Sequence, residues 1–536
     1  MRTILLLFIL PLVVDAAKVA VFLNAMSNSH VSSIFLLVIY EISPNNSKFQ
    51  VIFTIRVAEE LAVDHDVVII RPNVNPNAST IVSKHPQVRE IRSNGASEAT
   101  FADHKQIERN MVWKDASMKD IAAMSGSYTK IFSEYCTNLI NDEENMAKLR
   151  EEKFDFALAH HIDLCPVSVI HALVIPNFGF ILSIPLNRMW VNMMGVPMLS
   201  SIYPMLMMDA SNEMNFMQRF KNFVLDVMMG TMGGSLQAKP INAVMREKYG
   251  ADFPDAIDLS SKAKFVLVNA HPDIEFPLPV TSKISYFGGL GMSNASKPLE
   301  EPYSSFVESA KSVVFVSFGT VADPAMMPAT WKNAFLELFE KNPDVHFIWR
   351  MGNDIEVPKN VLRNTWHPQN DILANPKTVA FITHAGYNSI GESIASGTPL
   401  VSVPLAADQF RNARLAEYRG FGVRVEKTNF TFESLNAALH TILDNPSYAK
   451  AAQSLRQIVF SSPIAAGNSL RHAVNFAIDH PDHNRDLPSL NFFQLYSLDM
   501  IAVLISIVVV ILLVTVFVLK QLWRCVCRKG MKYKRV

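Results

Sequence analysis

The chain reads T-H-A-G-Y-N-S-I-G-E at Thr383–Glu392, between W-H-P-Q-N-D-I-L at Trp366–Leu373 and P-L-A-A-D-Q at Pro404–Gln409. These patterns decide the fold, because they combine a flat aromatic side chain, a turn with histidine, glycine, asparagine and serine, and a carboxylate beside an amide. Such groups can together hold a nucleotide base, a diphosphate, a ribose and a sugar. The stretch therefore predicts a binding site for a nucleotide sugar.

The local pattern around the central segment predicts a βαβ unit. Val379–Thr383 is short, apolar and β-rich, which predicts a buried parallel strand. Asn388–Ser396 predicts a helix closed by Gly397 and Pro399, and Leu400–Pro404 predicts the next strand. The loop of this unit lies at the carboxyl end of a strand, where open α/β sheets bind ligands. The helix N-terminus that follows offers unpaired N–H groups to a diphosphate.

Side chains in these patterns suit the other parts of a nucleotide sugar. His384 and Ser389 can donate to the diphosphate, and Glu392 can accept from ribose hydroxyls one turn into the helix. Trp366 offers a stacking face for a base. The pair Asp408–Gln409 combines an acceptor with a mixed donor and acceptor, which suits adjacent sugar hydroxyls.

These residues closely resemble the signature of the UDP-glycosyltransferases, specifically the membrane-bound UDP-glucuronosyltransferases of animals. The resemblance covers nearly the whole chain and includes F-D-F-A-L-A (Phe154–Ala159), F-V-S-F-G-T (Phe315–Thr320) and F-I-W-R-M (Phe347–Met351). It implies that the UDP-sugar is bound by Ser317, Gly319, Thr320, Trp366, Gln369, His384, Gly386, Asn388, Ser389, Glu392, Asp408 and Gln409. Two positions depart from the pattern, because Ala385 stands where glycine is common and Tyr387 where a small residue is usual.

The resemblance implies an α/β protein of the GT-B fold, in which two doubly wound Rossmann-like domains face a cleft. The acceptor-binding domain is expected at residues 18–270, a linker at 271–311 and the UDP-sugar-binding domain at 312–490. A linker there agrees with its Pro, Gly and Ser content. The length of 536 residues also suits two α/β domains rather than one core. By the same resemblance, the segment after Asn468 returns to brace the first domain.

Both termini predict membrane targeting. Residues 1–17 combine an arginine, an apolar run and small residues, which predicts a signal peptide. Met500–Leu519 is free of charge and long enough for a transmembrane helix. The tail at 520–536 has seven basic residues and no acidic one, which predicts a cytosolic tail on a single-pass type I protein with luminal catalytic domains. Lys532 and Lys534 resemble a signal for retrieval to the endoplasmic reticulum.

Candidate modification sites agree with a luminal protein. Asn77, Asn294 and Asn429 each begin an N-x-S/T sequence, the acceptor pattern for N-glycosylation. Four cysteines are too few for a disulfide framework, so Cys136 and Cys165 are expected to be buried or free.

Glycosyl transfer to a hydroxyl needs a general base, and histidine suits this role because its ordinary pKa is about 6.5. By resemblance the base is a histidine in the loop after the first strand, Lys18–Leu23, which makes it His30. A carboxylate commonly orients such a histidine. The family's acidic position falls on His160 here, so Asp163, three residues further on, is the nearest replacement.

Residues 31–50 interrupt the family pattern, because they separate His30 from an amphipathic helix and a second strand within Phe53–Ile70. A βα loop normally has about two to six residues. Joining His30 directly to Val51 restores the pattern, and the Val-Ser and Phe-Gln ends can be encoded by GTAAGT and TTTCAG, an intron donor and acceptor. Two explanations stay open, a retained or misannotated intron and a genuine apolar insertion.

The resemblance implies inverting transfer of glucuronic acid from UDP-glucuronate to a hydroxyl of small lipophilic acceptors. No cofactor and no metal are expected, and self-association is a family expectation. The formal net charge is zero, which argues against a nucleic-acid partner. Two alternatives stay open: a UDP-glucose-dependent glucosyltransferase of the same fold, and a catalytically impaired relative that binds lipophilic ligands.

Overall fold

The structure is a computed structural model. It describes residues 18–22, 49–73, 82–114, 117–161, 163–205, 208–290, 292, 296–319, 322–352, 355–462, 465–486, 488 and 490–533. The chain forms two compact units, one ending at Asp486 and the other comprising the residues that follow. The predicted signal peptide, His30 and residues 31–48 lie outside the described residues.

The first unit begins with a parallel sheet. Its strands among the described residues are β1 Lys18–Phe22, β2 Asp66–Asn73, β3 Val88–Asn94, β4 Phe156–His160, β5 Asn177–Leu182, β6 Val266–Val268 and β7 Ile284–Tyr286. They lie in the order β3-β2-β1-β4-β5-β6-β7, and every neighbouring pair is parallel. The strand order reverses at β1, so the carboxyl ends of β1 and β4 border the crevice where a doubly wound sheet binds ligands.

Helices pack on both faces of this sheet. The described ones are α1 Phe49–Leu61, α2 Glu98–Met111, α3 Met118–Asn141, α4 Glu143–Glu152, α5 Cys165–Ala172, α6 Arg188–Met193, α7 Phe216–Tyr249 and α8 Ala256–Ser261. The helix and strand predicted within Phe53–Ile70 are confirmed as α1 and β2. The observed α1 starts at Phe49, inside the last two residues of the interrupting segment.

A second parallel sheet follows. Its described strands are β8 Ser312–Ser317, β9 Val345–Arg350, β10 Val361–Asn364, β11 Thr378–Thr383, β12 Leu400–Ser402 and β13 Gly422–Arg424, in the order β10-β9-β8-β11-β12-β13. The helices around it are α9 Tyr303–Glu308, α10 Ala329–Lys341, α11 Gln369–Leu373, α12 Tyr387–Ser396, α13 Gln409–Tyr418, α14 Phe432–Asp444 and α15 Ser447–Phe460. The strand order reverses between β8 and β11, which marks a second ligand-binding edge.

The predicted βαβ unit is confirmed as β11, α12 and β12. Ala380, Phe381 and Ile382 of β11 are buried and Val379 is partly buried, as its continuous apolar run predicts. Gly397 ends α12 in the left-handed conformation, with φ of 74°, which costs glycine no steric strain.

The stretch predicted as a linker at 271–311 has structure of its own. It contains β7, which pairs with β6 and completes the first sheet, and α9 before the second sheet. A three-residue strand is too short to produce a periodic hydrophobic pattern, so the sequence did not distinguish it from a linker.

The chain after the second sheet returns to the first, as the resemblance implied. A further helix, α16 at Ala466–Asp479, contributes Leu470, Val474 and other apolar side chains to a core shared with α1. Arg471 pairs with Glu60 on α1 at 2.8 Å. Asp486 pairs with the buried amine of Lys283, next to β7, at 2.6 Å. The last residues of the first unit therefore belong to the packing of the first sheet.

The expectation for the cysteines requires a correction. Cys136 on α3 and Cys165 at the start of α5 are both buried, but they form a disulfide instead of remaining free. Spacing could not reveal the pair, because the two cysteines are 29 positions apart in the sequence and only the fold brings α3 against α5.

The second unit contains the C-terminal helices. A short helix, α17 at Phe492–Leu495, precedes α18 at Leu498–Tyr533. Within α18, Leu498–Arg524 is long and apolar enough to span a membrane. The predicted span Met500–Leu519 lies inside this helix.

Candidate active site

The site is built where β8 and β11 end side by side. Ser317 and Thr383 are the last residues of these strands, and they are paired in the parallel register. Their following loops therefore lie next to each other at the carboxyl edge of the sheet. This arrangement brings the sequence-predicted residues Gly319, His384 and Gly386 together.

The ring of His384 lies between two glycines that leave it no extra room. A Cβ atom on Gly319 would lie 2.5 Å from Cε1 of the ring, and one on Gly386 would lie 2.6 Å from Nε2. Gly319 also has φ of 67°, in the left-handed region. Both glycines are therefore required by the close approach of the backbone to the imidazole.

His384 is a neutral side chain in this setting. It is almost completely buried, and burial, followed by the positive charge of Arg350, lowers its pKa to about 3. Its Nδ1 lies 3.3 Å from the hydroxyl of Thr383. At neutral pH the ring can therefore offer one N–H to a ligand oxygen, but it carries no positive charge.

The N-terminus of α12 has no side-chain cap, and its N-cap residue is Gly386. Unpaired N–H groups and the positive end of the helix dipole favour an anion at this position. Asn388 is half-buried and Ser389 is buried in the same turn. Ala385, just before the helix, has φ of 60°, which explains why glycine is common at this position.

Gln369 and Glu392 come together on α11 and α12. The side-chain amide of Gln369 donates a hydrogen bond to the carboxylate of Glu392. Burial raises the pKa of Glu392 to about 7, while the Gln369 hydrogen bond and the positive charge of Arg56 on α1 act in the opposite direction. The carboxylate can accept from ribose hydroxyls, but it is partly protonated at neutral pH before a ligand binds.

Trp366 presents its indole to solvent on a rigid support. Its side chain is 52% exposed, which is unusual for a large apolar residue. The hydroxyl of Tyr303 donates to its carbonyl oxygen at 3.2 Å and also lies 3.1 Å from Nδ1 of the buried His367. An exposed aromatic face on a fixed backbone suits stacking of a base.

Asp408 and Gln409 lie at the start of α13, and both are buried. The Oε1 atom of Gln409 accepts from the backbone N–H groups of Leu405 and Ala406, at 2.8 and 3.0 Å. Because its oxygen is committed to the loop, Gln409 can offer a ligand only its Nε2 donor. Burial raises the pKa of Asp408 to about 6.

Sequence reasoning missed Asn412, which connects two parts of the site. Its Nδ2 atom donates to Oδ2 of Asp408 at 2.8 Å and to the carbonyl oxygen of Ala385 at 3.1 Å. Asp408, which is predicted to bind the sugar, is thereby tied to the turn before α12. One signal was available, because Asn412 lies one helical turn after Asp408 and such pairs share a helix face.

A buried ion pair attaches this site to the segment before β7. Arg411 on α13 pairs with Glu275, and both side chains are almost completely buried. Tyr387, at the start of α12, lies near the same carboxylate, and burial together with the charge of Glu275 raises its pKa well above the ordinary value. The large side chain at this unusual position therefore faces the connection between the two sheets.

A cavity of about 760 Å³ opens beside Glu392. Segments from both halves of the first unit line it, including α1, the residues before β8, α12 and α15. Its charged lining comprises Arg56, Lys297, Asp371, Glu392 and Arg456. Positive and negative groups together suit a polar ligand better than a purely apolar one.

The expected catalytic pair is described in part. Asp163 follows β4, next to β1, and is completely buried. Its Oδ1 atom accepts from the hydroxyl of Tyr135 and from the backbone N–H of Cys165, the latter at 2.9 Å. His30 lies outside the described residues, so a pairing between His30 and Asp163 stays a prediction. His160, at the family's acidic position, is buried at the end of β4.

Of the remaining predicted sites, some lie within the described residues and others lie outside them. Asn429 is exposed just before α14, as an acceptor for glycosylation would be. Asn77, Asn294 and Thr320 lie outside the described residues. Among the residues that the structure describes, no group of three or more His, Cys, Asp or Glu side chains could hold a metal ion.

Comparison with known proteins points to one family. The profile of the family described as "UDP-glucoronosyl and UDP-glucosyl transferase" matches residues 43–534. UDP-glucuronosyltransferase 2C1 of Oryctolagus cuniculus is 30% identical over 422 residues, which cover 77% of this chain and 82% of that protein. The protein ugt-48 of Caenorhabditis elegans is 29% identical over 491 residues, covering 88% and 92% respectively.

The fold agrees with solved glycosyltransferases. The glycotransferase of kitacinnamycin superposes with a TM-score of 0.56 at 18% identity, over 86% of this chain and 98% of that one. Two doubly wound parallel sheets in one compact unit are the GT-B arrangement. With this fold and with the family profile over most of its length, the chain belongs to the UDP-glucoronosyl and UDP-glucosyl transferase family and is a UDP-glycosyltransferase.

Proposed function

We propose that this enzyme transfers glucuronic acid from UDP-glucuronate to a hydroxyl group of small lipophilic acceptors, with inversion at the anomeric carbon. The observation that carries the proposal is the uncapped start of α12, which follows the buried, neutral imidazole of His384 and leads to the carboxylate of Glu392 on the same helix. We favour glucuronate over glucose as the proposed sugar, because relatives such as the Oryctolagus cuniculus protein are named UDP-glucuronosyltransferases.

The nucleotide part of the donor binds along α11 and α12. Trp366 stacks on the base, and Glu392, oriented by Gln369, accepts from the ribose hydroxyls. The diphosphate lies at the N-terminus of α12, where Ser389 and the N–H of His384 add to the backbone donors. Ser317, Gly319, Thr320 and Asn388 complete this part of the site.

The sugar binds between Asp408 and Gln409. Asp408 accepts from one hydroxyl, and the Nε2 atom of Gln409 donates to an oxygen of its neighbour. This pair would serve glucose as well as glucuronate, so UDP-glucose remains the alternative donor. Its test is direct competition between the two donors.

The reaction is a single displacement. His30 takes the proton of the acceptor hydroxyl while its oxygen forms a bond to the anomeric carbon, and Asp163 stabilises the imidazolium that results. The bond between that carbon and the diphosphate oxygen breaks on the opposite face. UDP leaves with the electron pair, stabilised by the helix dipole and by His384. The proposed mechanism uses no metal and no cofactor.

The enzyme is proposed to be anchored in the endoplasmic reticulum membrane with its catalytic domains in the lumen. The apolar helix α18 supports an anchor, and the basic tail that follows supports a cytosolic end. The Cys136–Cys165 disulfide supports an oxidising compartment for the first unit.

The test is sugar transfer to a simple phenol by microsomes that express the chain, both complete and without residues 31–50. UDP-glucuronate and UDP-glucose are supplied in parallel. His30→Ala is compared with His440→Ala, which changes a partly exposed histidine on α14. Transfer from UDP-glucuronate that disappears only in His30→Ala is expected.

Three other outcomes separate the alternatives. Preference for UDP-glucose would make the enzyme a glucosyltransferase. Equal transfer by both histidine variants would remove His30 from the mechanism. UDP binding without transfer from either donor, over a broad panel of phenols, would favour the impaired ligand-binding relative.

A further inference from the structure

The end of α2 reaches from the part of the chain that builds the first sheet to the part that builds the second. Trp113, just after this helix, lies edge to face against Phe318 and Trp331, at 5.7 and 5.6 Å between ring centroids. Its Nε1 atom donates to the carbonyl oxygen of Asp323 at 3.1 Å. Phe318 follows β8, and Trp331 lies on α10. The indole is therefore attached to the second part of the chain by two ring contacts and a hydrogen bond.

Lys427, from the second part, holds the same end of α2. Its Nζ atom donates to the carbonyl oxygens of Val112 and Lys114, at 3.0 and 2.6 Å. Val112 is the C-cap residue of α2, and the last carbonyl groups of a helix have no partners within it. A positive charge is favoured there, because the helix dipole is negative at its C-terminus. The lysine thus caps a helix that belongs to the first part of the chain.

The segment that carries Lys427 is itself held in place by stacking. Phe430, in the same segment after β13, lies nearly parallel to the ring of Trp331 at 3.9 Å between centroids. Trp331 also contacts Trp113, so the lysine and the indole are attached to one aromatic cluster. Ring contacts of this kind stabilise the packing beyond the burial of apolar area alone.

The contact with Trp113 leads to the loop that surrounds His384. Phe318 is buried and directly precedes Gly319, whose backbone approaches the imidazole so closely that a Cβ atom would lie 2.5 Å from Cε1. Because adjacent residues share a planar peptide unit, the position of the Phe318 ring limits that of Gly319. Phe335 contacts this ring from α10, and Trp113 contacts it from the end of α2. Loss of the indole would therefore allow the ring, and the backbone beside His384, to shift.

The contact with Lys427 leads to the loop that precedes α13. Its Nζ atom also donates to the carbonyl oxygen of Leu405 at 3.4 Å, and the N–H of Leu405 donates to Oε1 of Gln409 at 2.8 Å. Gln409 and its neighbour Asp408 are the residues proposed to bind the sugar. The same ammonium group therefore connects the end of α2 with the sugar part of the donor site.

We propose that Trp113 and Lys427 are positioning residues that hold the two donor-binding loops, one after β8 and one before α13, against the end of α2. The inference rests on the proposed function, in which these loops bind the diphosphate and the sugar. Neither residue is among the proposed donor contacts, and each acts through the loop that it touches. The affinity for the donor is thereby set in part by a helix of the half proposed to bind the acceptor.

Trp113→Phe tests the first contact, because it keeps an aromatic ring and removes the Nε1 donor. Its control is Trp190→Phe, the same change at a buried tryptophan on α6. Calorimetry measures binding of UDP, UDP-glucuronate and UDP-glucose to the complete chain and to the chain without residues 31–50. We expect the dissociation constants for UDP and UDP-sugar to rise about fivefold in Trp113→Phe alone, the worth of one hydrogen bond. Their ratio should stay unchanged, because both ligands contain the diphosphate.

Lys427→Met tests the second contact, because it nearly keeps the length of the side chain and removes the ammonium group. Its control is Lys332→Met, which removes an ammonium group that donates to the Ala325 carbonyl oxygen within the second part. In Lys427→Met we expect the dissociation constant for UDP-sugar to rise about fivefold more than that for UDP, because Leu405 belongs to the sugar loop.

Kinetics separate positioning from a general loss of structure. In the form of the chain that transfers sugar, KM for the donor should rise in Trp113→Phe and in Lys427→Met, with little change in kcat. A smaller folded fraction would instead lower the apparent kcat and leave KM unchanged. Melting temperatures of all four variants show that each is folded under the conditions of the assay.

Each outcome bears on a different statement. If the wild type binds UDP-sugar and the two variants match their controls, the positioning roles are overturned while the proposed function stands. Equal losses for UDP and UDP-sugar in Lys427→Met would overturn its link to the sugar loop. If the wild type binds UDP-sugar but transfers nothing, the proposed function fails, whereas the dissociation constants still decide this inference. A wild type that binds neither UDP nor a UDP-sugar overturns both.

Discussion

The side-chain amide of Gln369 donates a hydrogen bond to the carboxylate of Glu392, which joins the first turn of α11 to α12. Both side chains lie in the part of the site proposed for the ribose. The pairing orients the carboxylate before any ligand is present, so binding needs to immobilise fewer groups. It only partly offsets the effect of burial, because the pKa of Glu392 is still raised to about 7.

This raised pKa predicts a pH-dependent stability. As the pH rises from the ordinary value of 4.5, the unfolded chain loses the Glu392 proton first, while the folded chain keeps it to about pH 7. The contribution of the Glu392 proton to the free energy of unfolding is therefore complete below pH 4.5 and is lost as the pH rises from 4.5 to about 7. Glu392→Gln carries no such titration, so its melting temperature should gain a few degrees on the wild type between pH 5 and pH 8. Glu340→Gln, at an exposed position on α10, is the control. If the melting temperatures of Glu392→Gln and the wild type change in parallel with pH, the prediction is contradicted.

A second prediction concerns Asn412, which donates to both Asp408 and the Ala385 carbonyl. Asn412→Ala should lower the free energy of unfolding by about 2 kcal/mol, because two buried acceptors lose a donor. Losing that donor should also raise the pKa of Asp408 further and weaken binding of the sugar. We expect the affinity for UDP-sugar to fall more than that for UDP, measured by calorimetry. Asn436→Ala is the control, and equal losses of affinity for the two ligands would contradict a specific effect of Asn412 on the sugar.

A third prediction tests the close packing around His384. Gly319→Ala and Gly386→Ala would each place a Cβ within about 2.6 Å of the ring, so His384 must move. We expect transfer to fall at least about tenfold, because the N–H donor loses its position. Gly126→Ala on α3 meets no atom within 4 Å and should stabilise its helix by about 1 kcal/mol without loss of activity. Full activity in Gly386→Ala would show that the imidazole is not held as described.

A fourth prediction decides the nature of residues 31–50. If the segment is intron-derived, trypsin should release a peptide that joins His30 directly to Val51 and ends at Arg56. If it is a genuine insertion, the corresponding peptide runs from Val19 to Lys48. We expect mass spectrometry of the native protein to find the first peptide. Detection of the second would refute the intron explanation.

The βαβ unit of the second sheet was predictable because β11 is a continuous apolar run and the helix after it has strong stop signals. Gly397 and Pro399 marked the end of α12, and the observed helix and strand agree with the prediction to within two residues. By contrast, β7 has three residues and no distinct pattern, so only pairing with β6 identifies it.

The candidate site was likewise predictable only in part. Sequence patterns identified site residues that are close to one another in the chain, such as those in the segment from His384 to Glu392. They could not show contacts made across the fold, such as Tyr135 to Asp163 or Arg411 to Glu275. They also could not show that the side-chain oxygen of Gln409 accepts hydrogen bonds from the backbone of the loop before it, because these bonds depend on backbone geometry.

The return of α16 to the first sheet determines where chimeras between this enzyme and its relatives can be joined. A fragment that stops at residue 311 would lack the helix that covers Phe53, Val57 and Leu61 on α1, and would expose that apolar face to water. A chimera that exchanges the first sheet between relatives therefore needs two crossovers. The segment with the second sheet comes from one parent, and residues 465–486 come from the same parent as the N-terminal half.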